Sequence, residues 1–384
     1  MQRLDQYVNA GGKLLRCGYT TGTCAAAATR AAAELLLGDV LVPAVTITTP
    51  AGVDVVVDVE EADRGADWAC CAVRKDAGDD PDVTDGVMVY VRVSLASEPD
   101  IVVDGGVGVG RVTKPGLDQP VGEAAINSTP RQMIVRQAQE AAQAHGHMGG
   151  LAVEVSIPAG VELAKRTFNP RLGIVGGISV LGTSGIVRPM SEEALVASIG
   201  VELRMLRASG CDHVLVVPGN YGRDFASKDL DLDTSHAVTC SNYLGATIDE
   251  AALLGFVSML VVGHVGKLVK VAAGVMNLHS RVADARMEVL AAHAVLAGAA
   301  KPVVSAIMGA ATTDAALTLL QEEGLLDEAM RTMVGRMEAH LAHRAAGRLQ
   351  VEAIVFSNQW GLLGQTSGAL ELMRLHRQQG GQEA

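Results

Sequence analysis

Residues Phe256–Lys267 read FVSMLVVGHVGK and residues His213–Gly222 read HVLVVPGNYG. Each is a short apolar run followed at once by glycine and polar residues. Runs of that length, without polar alternation, are the pattern of strands buried on both faces. Helical stretches flank them, over 191–208, about 240–254 and from about 265, and strands alternating with helices build parallel sheets. A C-terminal α/β domain with a mainly parallel sheet is therefore expected over 191–384. Ligands of open α/β sheets sit at the carboxyl ends of strands, so the loops Pro218–Gly222 and Gly263–Lys267 should face one crevice. Three short helices over 301–343, a last strand over 349–356 and a frayed polar tail from Arg374 complete the expectation.

Before this lies KRTFNPRLGIVGGISVLGTSGIVRPMSEE, residues 165–193. Its Gly173, Gly176, Gly177, Gly182 and Gly185 alternate with isoleucine, valine and leucine. Glycine permits positive φ and close approach of backbone to a ligand. Thr183 and Ser184 add hydroxyls, and Arg166, Arg171 and Arg188 add fixed charge. A buried hairpin leading into a helix capped by Ser191 accounts for the pattern structurally; a ligand-holding backbone accounts for it functionally.

Nearer the N-terminus, RCGYTTGT (16–23) runs into the alanine-rich Cys24–Leu37. Alanine is the strongest helix former, so a helix capped by Thr23 is expected. It would gather Arg16, Thr20, Thr21 and Gly22 at a helix N-terminus, where free N–H groups favour an anion such as a carboxylate. Strands are expected over 45–49, 53–59, 70–74, 87–95 and 151–157 and a helix over 132–144. Together with the glycine-rich loops they make 1–190 an N-terminal mixed-sheet α+β domain. KDAGDDPDVTDG (75–86) fails the EF-hand template; Asx-turns explain Asp76, Asp79, Asp80 and Asp82 in part, and an acid cluster at the mouth of a site is the functional alternative. DGGVGVGRVTKPG (104–116) has its third glycine one place early for a dinucleotide fingerprint, and Pro115 blocks a helix there. Arg111, Thr113 and Lys114 remain as contacts for an acidic ligand.

A formal charge of −12 argues against a phosphate-backbone partner, and 3% aromatic residues leave little for base stacking. No CxxC pair occurs among the six cysteines, so reduced, mostly buried thiols are expected. The N-terminal segment has no apolar signal-peptide core, and a cytoplasmic protein without a membrane partner is expected. His145 and His147 read as a solvated turn, Lys267 and Lys270 as solvated neighbours on one helix face, and Asp284 and Glu288 as sharing a face. GxSxG, Walker and HExxH patterns are absent from the sequence.

The order of GYTTGTCAAAA, KDAGDDPDVTDG, GGVGVGRVTKPGL, AINSTPR, FNPRLGIVGGISVLGTSGIVRPMSEEAL, PGNYG and GHVGKLVKVAAGVMNLHSRVADARMEVL resembles the CbiD family, the cobalt-precorrin-5B C(1)-methyltransferases of cobalamin biosynthesis. The resemblance covers about Arg16 to Glu288 and weakens beyond. Asn127-Ser128-Thr129 departs from proline-rich variants at that place, and NLHS departs where a threonine commonly precedes the histidine.

The resemblance implies methyl transfer from S-adenosylmethionine to ring carbon C1, giving cobalt-precorrin-6A in the cobalt-early (anaerobic-type) branch. Cobalt is then part of the substrate, and no metal site of the protein's own is expected. A tetrapyrrole with many carboxylates calls for dispersed cationic and N–H donors; the candidates are Arg16, Thr20, Thr21, Arg111, Lys114, Arg131, Arg171, Arg188, Lys267 and His279. S-adenosylmethionine is assigned to Gly173, Gly176, Gly177, Thr183, Gly185, Gly219, Asn220 and Gly222. His264, Asp76 and Asp80 are candidates to accept a proton. A sulfonium is already primed for displacement, so orientation is the protein's main task. Two alternatives stand beside this reading, a non-catalytic corrinoid carrier and a nicotinamide-dependent reductase of a corrin intermediate, and the sequence leaves room for a homo-oligomer.

Overall fold

The computed structural model describes residues 4–167, 169–170 and 172–380, with side chains to Arg377. Arg171 lies outside them. Proximity along the backbone divides the chain into two compact units, Met1–Glu192 and Glu193–Ala384, and each contains helices and a mixed sheet.

In the first unit six strands form the main sheet: β1 (Ala44–Thr48), β2 (Asp54–Arg64), β3 (Trp68–Arg74), β4 (Met88–Ala96), β5 (Ile101–Gly105) and β6 (Gly150–Ser156), in the order β1-β2-β3-β4-β6-β5. All neighbours are antiparallel except β6 and β5, which run parallel. Helix α1 (Thr21–Gly38) lies on β3 and β4 beside α2 (Ser128–Ala144). Ala25 to Ala28 and Ala31 to Ala33 are fully buried; their single methyls let the helix axis come close to the sheet. The helix begins three residues earlier than the sequence implies. Thr20, with extended φ −77° and ψ 164°, is its N-cap and accepts the Thr23 N–H at 3.2 Å.

The second unit opens with α3 (Glu192–Ala208). Its sheet holds β7 (His213–Val217), β8 (Val238–Thr239), β9 (Ser258–His264), β10 (Gln350–Ser357) and β11 (Gly361–Gln365), in the order β8-β7-β9-β10-β11. The first four are parallel and β11 returns antiparallel to β10. Helix α4 (Asn220–Lys228) joins β7 to β8, and α5 (Leu244–Leu253) joins β8 to β9. A single turn α6 (Val265–Leu268), a 3₁₀ segment (Val269–Ala273) and helices α7 (Arg286–Leu296), α8 (Lys301–Met308), α9 (Thr313–Glu322) and α10 (Leu326–Ala345) connect β9 to β10. Helix α11 (Ala369–Gly380) ends the described chain.

Alternate residues of β7 and β9 feed two cores. Val214, Val216, Met259 and Val261 face one, with Leu244, Ile248 and Met333. Leu215, Val217, Leu260 and Val262 face the other, with Phe225 and Leu372; there the rings of Phe225 and Phe356 stack at 4.1 Å. Burying each such side chain contributes roughly 1.5–3 kcal/mol, which explains the unbroken apolar runs.

Several expectations are corrected. PGNYG is not only a loop, because the helix starts at Asn220. The segment from 265 is one turn followed by 3₁₀ backbone. Strand β11 goes unforeseen, and the supposed frayed tail from Arg374 is helical to Gly380, with His376 only 8% exposed. Asp284 precedes α7 and pairs with Arg286 rather than sharing a face with Glu288. His145 is not solvated freely, since its ring meets the Glu34 carboxylate at 2.5 Å. None of the six cysteines is in a disulfide and four are buried, and among the described residues no helix is long and apolar enough to cross a membrane.

Candidate functional site

Strand β7 leads through α4 to β8 on one side of it, whereas β8 leads through α5 to β9 on the other. The order of connection therefore reverses between β7 and β9, and a crevice opens at the carboxyl ends of such a pair. The loops after these two strands do meet. Lys267 Nζ donates to the carbonyl oxygen of Pro218 at 2.8 Å and to that of Ser241, after β8, at 3.3 Å. Burial lowers the Lys267 pKa, with the Cys240 thiol alongside opposing the shift; burial pushes that thiol up to about 12. Lys270 is 2% exposed and donates to the Leu278 carbonyl at 2.8 Å. Neither lysine is solvated, contrary to the sequence expectation. Their setting in VGKLVKVAA carries the signal, because valine, leucine and alanine surround both.

The same contacts bring the NLHS segment to the crevice. Leu278 N donates to Asn242 O at 2.7 Å, directly beyond Ser241. His279 is exposed; its backbone N donates to Asn277 Oδ1 and its Nδ1 accepts the Arg281 N–H at 3.0 Å.

His264 is the last residue of β9 and the cap of α6. Its Nδ1 accepts the Gly266 N–H at 3.0 Å. Its ring stands edge-on to Phe356, with centroids 5.5 Å apart and planes at 89°, and 6.4 Å from the Tyr221 ring. Burial pushes the His264 pKa down, while Asp314 acts to raise it. The Asp314 carboxylate accepts the Ser357 hydroxyl at 2.5 Å, placing an acid at the end of β10. Tyr221 is 67% exposed, an unusual position for an aromatic residue in a chain with so few. Tyr221 and Ser357 fall in strand-end positions that the sequence marks, but neither receives a role there, and Asp314, on α9, is not singled out at all.

Glycines in this crevice differ in kind. Gly222 is buried, and a Cβ there would overlap the carbonyl of Val262, so its lack of a side chain lets α4 lie against β9. A Cβ on Gly219 meets nothing within 4 Å. Asn220 is exposed beside it.

In the first unit the expected residues are largely occupied by one another. Arg16 donates twice to Asp76, both bonds 2.7 Å, and its backbone N donates to Asp79 at 2.7 Å. Asp76 also accepts the Gly78 N–H, and Asp80 accepts that of Met190 at 3.0 Å. These carboxylates hold loops together and are not presented as free bases. Lys75 pairs with Asp82; burial acts to raise the Asp82 pKa, but the Lys75 ammonium and two hydrogen bonds from Thr84 together hold it below its ordinary value.

The N-terminus of α1 is closed, which corrects the anion-site expectation. Leu181 O accepts the Gly22 N–H and the Thr21 hydroxyl, both at 3.2 Å, and Gly185 O accepts the Thr23 hydroxyl at 2.7 Å. Gly182, at φ 132°, sits where a Cβ would overlap Thr20. Gly177 packs on Gly108 and Gly185 on Thr49, and a Cβ on Gly173 would crowd the Lys114 side chain. Internal packing thus accounts for most glycines of this segment. Gly176 and Thr183 are the exposed exceptions.

Of the remaining cations, Arg111 is held by Asp104 through two 2.7 Å bonds. Arg131 donates to Val103 O at 2.6 Å, while its buried Nε and Nη2 have no hydrogen-bond partner. Lys114 and Arg188 are exposed. A concavity of about 650 Å³ lies elsewhere, between β4 and Pro158–Leu163. Apolar groups with Asp85 and Glu162 line it, a poor match to a polycarboxylate. Among the described residues no group of three or more His, Cys, Asp or Glu side chains is placed to hold a metal ion.

Comparison with known proteins agrees with the resemblance in the motifs. The CbiD family model matches residues 8–189, and the CbiD C-terminal domain model matches 277–367. Cobalt-precorrin-5B C(1)-methyltransferase of Ruminiclostridium cellulolyticum is 45% identical over 97% of this chain and 98% of its own. The protein of the same name from Alkaliphilus metalliredigens is 42% identical over 98% and 99%. A crystal structure of cobalamin biosynthesis protein (cbiD) from Archaeoglobus fulgidus aligns at 30% identity with a TM-score of 0.40, over 73% of this chain and 87% of that one. Near-complete coverage at this identity, with both family models in register, makes the conclusion direct: the chain belongs to the CbiD family.

Proposed function

We propose that the chain transfers the methyl group of S-adenosylmethionine to C1 of cobalt-precorrin-5B, with the methyl donor held in the switch-point crevice of the second unit. The chain is a C-methyltransferase of cobalamin biosynthesis, as its family membership and near-full-length relatives of that name indicate. The observation that carries the placement is the Lys267 bridge to Pro218 and Ser241, which holds three strand-end loops around one crevice.

The crevice residues fit the methyl donor. Open space beside Gly219 leaves room for close approach, Asn220 and the His264 ring offer polar groups, and the Asp314 carboxylate suits a cationic sulfonium. When bound, S-adenosylmethionine supplies an electrophilic methyl group. The protein's part is to fix its direction and exclude water, since alignment of reacting atoms supplies much of the rate.

For the macrocycle, the exposed Arg188 and Lys114 are the best carboxylate donors, whereas Arg131 is buried at Nε and Nη2 and lies 3.8 Å from the Glu123 carboxylate. Arg16 and Arg111 are already committed to Asp76 and Asp104. Incubating the protein with isotopically labelled S-adenosylmethionine and cobalt-precorrin-5B should add one labelled methyl to the product, read by mass spectrometry. Retention of the macrocycle without a mass gain would instead identify a carrier.

A further inference from the structure

We propose that His264 serves the bound methyl donor as a hydrogen-bond donor through Nε2, to the carboxylate of its methionine portion, and not as a general base. The inference rests on the placement of the methyl donor in the switch-point crevice. It begins from the cap. Nδ1 accepts the Gly266 N–H at 3.0 Å, so Nδ1 is the bare nitrogen of a neutral ring and the proton resides on Nε2. A neutral imidazole in this tautomer has no second lone pair to offer. Acting as a base would require Nδ1 to leave the Gly266 N–H and undo the turn that starts α6.

Packing holds the ring in this orientation. Phe356 meets it edge-on from β10, and the Tyr221 ring of α4 lies tilted with its centroid 6.4 Å away. Nε2 has no protein hydrogen-bond partner among the described residues, and it is not among the nitrogens sealed from solvent. The titratable groups facing the ring are Asp314 from α9 and Tyr221 from α4; β10 contributes only Phe356. Burial favours the neutral ring, which keeps one N–H directed outward. A carboxylate is the acceptor that gives such a donor its strongest bond.

Two measurements test this separately from the placement. In the free protein, ¹⁵N NMR of the histidine side chains near neutral pH should show an unprotonated Nδ1 and a protonated Nε2 for His264; the reverse tautomer, or an imidazolium, overturns the proposal without reference to any ligand. His264→Asn keeps an oxygen able to cap Gly266 but has nothing at Nε2, whereas His264→Gln restores an N–H near that position. Calorimetry should find S-adenosylmethionine binding about tenfold weaker in His264→Asn, recovered in large part in His264→Gln, with circular dichroism unchanged. At saturating methyl donor, kcat of His264→Asn should stay within about threefold of wild type, because loss of a general base would remove about 10²–10⁴. Wild-type affinity in His264→Asn overturns the donor role. If Gly219→Val also keeps wild-type affinity, the placement itself has failed.

Discussion

Lys267 reaches across the reversal in connection order, its Nζ donating to Pro218 O at 2.8 Å from 49 residues away in sequence. One ammonium therefore holds the ends of β7 and β9 at a fixed separation, with Ser241 as its second acceptor. Lys267→Met removes the donor and leaves both carbonyls short of a partner, a loss of about 1–3 kcal/mol. Scanning calorimetry should show a lower melting temperature, at roughly 2–4 °C per kcal/mol for a unit of this size, and titration should show weaker S-adenosylmethionine binding. An unchanged melting temperature would mean that the loops are held by something else.

Gly219 and Gly222 should respond oppositely to a side chain. A Cβ at Gly219 meets no protein atom within 4 Å, so Gly219→Val costs at most about 1 kcal/mol at the helix cap; its circular dichroism should match wild type while methyl-donor binding disappears. Gly222→Val drives its side chain into the Val262 carbonyl and should lower the melting temperature by several degrees. Full affinity in Gly219→Val removes the methyl donor from this crevice.

Asp76 carries a structural ion pair, and its substitution should read out as stability. The two side chains are 14% and 7% exposed, and breaking a buried pair by changing one partner costs about 3–5 kcal/mol. Asp76→Asn should therefore melt well below wild type in the first unit. A catalytic base would behave in the opposite way, with activity lost and the melting temperature kept.

His376, on α11, gives a pH dependence with a definite sign. Burial, reinforced by the nearby His213, pushes it down to about 4 from an ordinary 6.5. Between those values the unfolded chain binds more protons than the folded one, so stability falls as pH drops through that window. A shift of this size corresponds to about 3 kcal/mol. Denaturant melts at pH 7 and pH 4.5 should show wild type losing more stability than His376→Gln. An equal loss in both proteins would sink the assignment.

The apolar run of β9 and the alanines of α1 were legible because burial leaves its mark on each residue in turn. Helix α4 was hidden, since glycine, asparagine, tyrosine and aspartate in NYGRDFASK are weak helix formers; its helicity depends on Phe225 packing against Phe356 and on Gly222 lying against Val262. Strand β11 was hidden for a similar reason, its GLLGQ becoming a strand only through pairing with β10. The glycine-rich 173–185 run misled in another way. Glycines needed for chain-to-chain contact and glycines needed for a ligand look identical until the neighbours are known.

By itself the sequence determined the family, the alternation of strands and helices that makes the second half α/β, and the two loops that end its central strands. Tertiary structure decided which charges are free. Arg16 finds Asp76 sixty residues away, Leu181 closes the N-terminus of α1, and Lys267 finds two carbonyls. A buried charge takes whichever distant partner the fold brings within hydrogen-bond reach, and that choice depends on three-dimensional proximity that no local pattern of residues encodes.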